Sequence, residues 1–132
     1  PSIKVTGVQS EGAPAVYKSW KTGRIVETEK VETFADGLAT RVPFELTMSI
    51  MRRLIDEIIL VSEEDLRRAI LLLLETTHQV AEGAGAASTA GAVKMRQDLK
   101  GKKVALVISG GNLTLEMLQT IVQAGKSSLR SA

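Results

Sequence analysis

"VALVISGGNLTLEML", residues 104–118, decides the fold class, because an apolar run passes through a Ser-Gly-Gly-Asn turn into helical periodicity. The run from Lys103 to Ile108 is short and rich in β-branched residues, so it reads as a strand. Ser109, Gly110, Gly111 and Asn112 interrupt it, and Leu113 to Gln123 then repeats apolar residues at helix spacing. Two glycines beside a hydroxyl leave room for something to approach the backbone. In an open α/β sheet this turn lies at the carboxyl end of a strand, where ligands bind. Ser109 can donate or accept a hydrogen bond there. A tight turn requiring positive φ accounts for the glycines equally well.

The rest of the chain alternates in the same way. Ile3 to Val8 reads as a strand and Ala13 to Trp20 as a short helix stopped near Gly23. Gly37 after Asp36 marks a turn. Pro43 opens a helix to about Leu54, with Leu46, Ile50 and Leu54 on its core face. "EIILVS" is the next strand. Ser62-Glu63-Glu64-Asp65 opens a helix running to about Thr76, whose core face is Leu66, Ile70, Leu73 and Leu74. "AEGAGAASTAGAV" reads as a closely packed helix entered through Gly83 and Gly85. Residues 126–132 read as a disordered tail. This alternation predicts an α/β three-layer sandwich with a partly parallel sheet, in which Ile3–Val8 and Lys103–Ile108 are neighbours. Residues 1–132 read as a single partial domain without repeat or linker, although Asp36 to Val61 has the makings of a compact βα lobe.

Composition narrows the function classes. A chain of 132 residues with 44% apolar and 24% charged residues supports one domain with a core. The net charge is +2, and the basic doublets Arg52-Arg53 and Arg67-Arg68 lie beside acids, so no nucleic-acid partner is expected. The absence of Cys excludes disulfides, thiolate metal sites and a Cys nucleophile. The first residues lack a signal-peptide pattern, and the longest apolar stretch, Ala69 to Leu74, is too short for a bilayer. A cytoplasmic protein without membrane contact is therefore expected. A strand that starts almost at the first residue suggests a chain cut from something longer.

Other constellations are weak as catalytic sites. Glu82-Gly83-Ala84-Gly85-Ala86 matches neither the dinucleotide fingerprint nor a Walker loop. His78 stands without a second histidine or a nucleophile elbow, which argues against metal and hydrolase chemistry and for capping the preceding helix. All the lysines lie in polar or terminal segments, whereas an imine-forming lysine needs desolvation.

Taken in order, Ala35-Asp36-Gly37, Val61-Ser62-Glu63-Glu64, Glu82-Gly83-Ala84-Gly85-Ala86 and Ser109-Gly110-Gly111-Asn112 resemble the carboxyl-terminal part of threonine/serine dehydratases. With serine racemase, these belong to the fold-type II pyridoxal-phosphate enzymes. The resemblance runs from Ile3 to about Leu118. It implies a partial fold-type II domain in which Ser109 bonds the pyridine nitrogen and Gly110 borders the ring. Gly37 would line the other edge of the ring, and Glu82 would stand near the nitrogen or the substrate. The family's serine-phenylalanine-lysine motif and tetraglycine phosphate loop have no counterpart in these 132 residues. No catalytic residue is therefore expected here, and pyridoxal phosphate is not expected to bind covalently. The family's cation-ligand positions fall on Gln9, Ala13 and Ala15, so no metal site is expected either.

Two readings follow. In the first, the chain is the carboxyl-terminal half of a dehydratase that deaminates threonine or serine to a 2-oxo acid, inactive alone and partnered by itself or by an amino-terminal half. In the second, it is a free-standing non-enzymatic α/β module. That module would bind a small molecule or a protein through the Ser109 turn or an exposed apolar face.

Overall fold

Strands β1 (Thr6–Ser10) and β2 (Glu57–Val61) pair in parallel in a computed structural model that describes residues 3–129. Thr6 stands opposite Glu57 and Ser10 opposite Val61. Parallel strands cannot be joined by a tight turn. The crossover here carries two helices, α1 (Ala15–Thr22) and α2 (Glu45–Leu54). Pro14 provides no side-chain cap for α1, and the Gln9 amide oxygen accepts the Tyr17 N–H instead, at 2.8 Å. The helix ends at Gly23, whose φ of 75° is readily adopted only by a residue without Cβ. Buried Ser19 fixes the chain beyond that end, accepting the Val26 N–H at 2.8 Å and donating to the Val26 carbonyl at 3.3 Å.

Contacts divide the chain into two compact units, Pro1–Glu63 and Glu64–Ala132, with the boundary in the first turn of helix α3 (Glu63–Thr77). The second unit adds α4 (Ala87–Lys94) and α5 (Leu115–Leu129). Leu66, Ile70 and Leu73 of α3 are buried, as its periodicity predicts, while Leu74 is half-buried and Ala69 fills the face. His78 follows α3 with φ 57°, the left-handed conformation common one residue past a helix, so it ends the helix through its backbone. Small residues let α4 pack closely, with Ala87, Thr89, Ala90 and Gly91 buried. Helix α5 extends through Leu129, and residues 130–132 of the expected tail lie outside the described residues. No described helix is long and apolar enough to cross a membrane.

Parallel pairing within a mixed α/β chain agrees with the sequence, but three local expectations are corrected. The first strand starts later than expected and pairs with Glu57–Val61, not with Lys103–Ile108. Residues 103–108 are not in a strand at all, and every residue from 103 to 109 is exposed. Apolar β-branched composition favours an extended chain, yet a strand exists only where a neighbour answers its N–H and C=O groups. What anchors this segment is the Ser88 hydroxyl, which donates to the Val107 carbonyl at 2.9 Å. The third correction concerns α2, where Leu46 and Leu54 are 75% and 63% exposed, Ile50 is also exposed, and Met48 is the buried residue. Period alone identifies an apolar stripe but not which face meets a neighbour.

Met48→Ala and Leu66→Ala should each lower unfolding free energy by roughly 2–5 kcal/mol in urea titrations, as large-to-small core changes do. Leu46→Lys should cost no more than about 0.5 kcal/mol, as expected at an exposed position. A loss at Leu46 as large as that at Met48 would show the outer face of α2 to be covered.

Candidate functional site

The turn after residue 108 is shaped by close approach rather than by unusual dihedrals. Among the described residues, Gly23 and Gly101 have positive φ, and Gly110 and Gly111 do not. A Cβ on Gly110 would fall on the carboxylate of Glu82, and one on Gly85 would fall on the Gly110 carbonyl. A Cβ on Gly111 would stand 2.6 Å from the Val80 carbonyl oxygen. The Glu82 N–H donates to the Gly110 carbonyl at 3.2 Å, and the Glu82 carbonyl accepts the Ala86 N–H at 2.9 Å. Residues 80–86 therefore lie directly against residues 110–111, and the glycines are what allow it. Requirement for positive φ, the alternative explanation of this turn, does not apply.

The second unit thus brings together three of the expected residues. Glu82 is half-buried with its carboxylate against Gly110, and Gly110 is half-buried next to Ser109. Ser109 is exposed, and its hydroxyl has no hydrogen-bond partner among the described residues. This arrangement places an exposed hydroxyl at Ser109 beside a half-buried Gly110 whose backbone packs against Gly85 and Glu82. It suits a flat polar ligand with one hydrogen-bonding atom at its edge. Val80 contributes through its backbone carbonyl, which no feature of its side chain signals in sequence.

Gly37, the fourth expected residue, belongs to the first unit. It is exposed in a 3₁₀ turn, Asp36–Leu38, closed by the Leu38 N–H to Ala35 carbonyl bond at 2.8 Å. This turn hangs from the carboxyl ends of β1 and β2. The Glu32 N–H donates to the Gly12 carbonyl at 2.8 Å, and the Phe34 N–H donates to Glu63 Oε2 at 2.9 Å. The other Glu63 oxygen accepts the hydroxyl of fully buried Ser10 at 2.8 Å. Sequence reading treats Glu63 as a helix-opening acid and misses this second use.

At the three positions considered for a cation, Gln9 caps α1 while Ala13 and Ala15 are fully buried. A cavity of about 280 Å³ lies elsewhere in the second unit, between α3 and α5, lined by Arg67, Leu71, Leu72, Ile121 and Gly125 among others. It includes none of the expected site residues.

Comparison with known proteins supplies the family. A family model described as pyridoxal-phosphate dependent enzyme matches residues 1–110. The L-threonine ammonia-lyase of Thermotoga maritima is 46% identical over 125 residues, covering 95% of this chain and 31% of that protein. The catabolic L-threonine dehydratase of Escherichia coli (strain K12) is 37% identical over 123 residues, covering 92% of this chain and 37% of that protein. Among solved structures, the processed form of threonine deaminase isoform 2 from Solanum lycopersicum superposes with a TM-score of 0.84 at 30% identity, covering 93% of this chain and 34% of that chain. Maize serine racemase superposes with a TM-score of 0.81 at 27% identity, covering 95% of this chain and 41% of that chain. The chain thus spans about a third of the length of the curated relatives it matches. Gly37, Glu82, Ser109 and Gly110 all fall inside the length that the family model matches, and the chain belongs to the pyridoxal-phosphate dependent enzyme family.

Proposed function

We propose that this chain supplies the carboxyl-terminal part of a threonine/serine dehydratase, and that its 132 residues alone do not catalyse deamination. The observation that carries the reading is a 46% identical match to a threonine ammonia-lyase along 95% of this chain but 31% of the relative. When bound, pyridoxal phosphate supplies the electron sink for charge that develops at the substrate α-carbon. The turn at residue 109 fits that group. Its exposed hydroxyl, without a partner among the described residues, can meet a ring nitrogen, and the Glu82 carboxylate stands beside the neighbouring Gly110. A neutral hydroxyl there would leave that nitrogen without a proton and so weaken the sink that the group supplies. Glu82 faces the same turn, and Gly37, in a turn of its own unit, is read as a ring contact from the family resemblance alone. What the chain lacks is the lysine that moves the α-proton and the backbone cradle for the phosphate.

Assembly belongs to the same reading. Val104, Leu106, Val107 and Ile108 form an exposed apolar segment without strand pairing, and Val107 is 73% exposed. Unpaired extended backbone with apolar side chains is a template for another strand. The partner is a complementary amino-terminal half or a second copy of this chain.

Three outcomes are expected. Incubated with pyridoxal phosphate and threonine, the purified chain should form 2-oxobutanoate no faster than free cofactor does. Faster production that Ser109→Ala abolishes would show a working site in these residues. Sedimentation at high micromolar concentration should show a dimer or larger species, and a strict monomer would count against the assembly. Finally, Gly85→Ala, which drives a Cβ into backbone, should cost at least about 1 kcal/mol in urea unfolding, more than Gly110→Ala, which meets only the movable end of Glu82. Equal losses would mean that residues 80–86 do not lie against the turn.

A further inference from the structure

We propose that Glu63 is a positioning residue for the Ala35-Asp36-Gly37 turn, an inference that rests on the reading of Gly37 as a ring contact. An acid in the first turn of a helix is ordinarily explained by the helix dipole. Glu64 and Asp65 satisfy that explanation as well as Glu63 does. The use of both carboxylate oxygens sets Glu63 apart. Oε1 accepts the Ser10 hydroxyl at 2.8 Å and Oε2 accepts the Phe34 N–H at 2.9 Å, joining residues distant in sequence.

The same knot continues through the backbone. The Ser10 oxygen accepts the Gly12 N–H at 3.0 Å, and the Gly12 carbonyl accepts the Glu32 N–H at 2.8 Å. A Cβ on Gly12 would fall on the Glu32 carbonyl, so the strap from Glu32 to Ala35 lies directly on the exit of β1. Ala35 is almost fully buried, and the turn bearing Gly37 begins at the next residue. The strap is therefore tied to the strand ends at Glu32 through backbone and at Phe34 through Glu63. Cutting the second tie removes the Glu63 hold on Phe34, three residues before Gly37.

Replacement chemistry separates positioning from bulk. Glu63→Ala removes both acceptors and leaves the Ser10 hydroxyl, which is fully buried, without its partner. In Glu63→Gln the remaining oxygen can accept from Phe34 while the amide donates to Ser10 Oγ, which has two lone pairs. Gln therefore keeps a bond to each partner but leaves the buried Ser10 O–H without its acceptor, whereas Ser10→Ala removes the Glu63 anchor and the Gly12 N–H acceptor together.

The test uses the isotope-labelled chain titrated with pyridoxine 5′-phosphate, which has no aldehyde to react with lysines. The amide resonances of Gly37 and Gly110 are followed. In the wild type both should shift. In Glu63→Ala the response at Gly37 should weaken about tenfold while that at Gly110 persists, and in Glu63→Gln both should stay within about twofold of wild type. Ser10→Ala should fall between them. A general loss of fold would instead remove both responses, and if Gln did not restore them the inference would be overturned. An undiminished response at Gly37 in Glu63→Ala overturns the role of Glu63 and leaves the ring contact standing. A wild-type Gly37 that stays silent while Gly110 responds overturns the ring contact itself, and the role of Glu63 with it. If both stay silent, the ring-contact reading of the whole turn set fails. Should Glu63→Ala not fold, a wild-type response at Gly37 in Ser10→Ala overturns the inference.

Discussion

The parallel pairing of β1 with β2 organises the first unit, because it brings two carboxyl ends side by side rather than end to end. Ser10 lies opposite Val61, and the ladder extends one residue further through the Glu11 N–H to Val61 carbonyl bond at 2.9 Å. The chain leaving β1 and the chain leaving β2 therefore emerge together. That proximity lets Glu63, two residues past β2, reach Ser10 at the end of β1 and hold the strap that carries Gly37. At the opposite ends a similar closure operates, with the Val5 N–H on Asp56 Oδ2 at 2.7 Å and the Asp56 N–H on the Val5 carbonyl at 3.0 Å. Two strands alone bury too little to be stable. The crossover helices must supply the cover, and the buried residues of this unit include Met48 of α2 and Ala15 and Ser19 of α1.

Glycine serves two different purposes in this chain. At Gly23 it permits a left-handed helix end. At Gly85, Gly110 and Gly111 the dihedrals are ordinary and the need is volume, since a side chain would displace a carbonyl or a carboxylate. Positive φ strains any L-residue by an amount set by the backbone itself. A volume requirement instead depends on what lies opposite, so its cost differs between the end of a Glu side chain and a fixed peptide. The two cases look the same in sequence, where both read as Gly-rich turns.

What was legible in the sequence was whatever local chemistry determines. β2, the buried face of α3, the Gly23 stop and the small-residue packing of α4 all follow from composition within a few residues. What depended on a distant partner was not legible. The apolar stripe of α2 has the right period but faces outward, because a stripe does not specify its neighbour. Residues 103–108 have strand composition but no strand to pair with among the described residues. Within the candidate site, Glu82, Gly110 and Ser109 could be named because an ordered set of motifs carried them. Val80 acts through its backbone and Glu63 through a bond spanning 53 positions to Ser10, and neither leaves a pattern that a window of residues can show.

The energetics of the turn at residue 109 underlie the proposal that these residues alone do not catalyse the family reaction. A neutral hydrogen bond such as Ser109 can offer contributes about 1 kcal/mol net, equivalent to less than tenfold in affinity. Glycine adds access rather than attraction. Such contacts orient a ring that something else retains. The family's retaining interactions are a covalent bond to lysine and a charged phosphate against backbone N–H groups, and the motifs for both are missing from these 132 residues. Charge-assisted bonds are roughly twice as strong as neutral ones, so under the proposed reading the phosphate side would dominate capture while the Ser109 side would tune the electronics of what has been captured. Under that division, substitutions in this chain should alter reaction outcome more than cofactor affinity in any assembly that contains the other part.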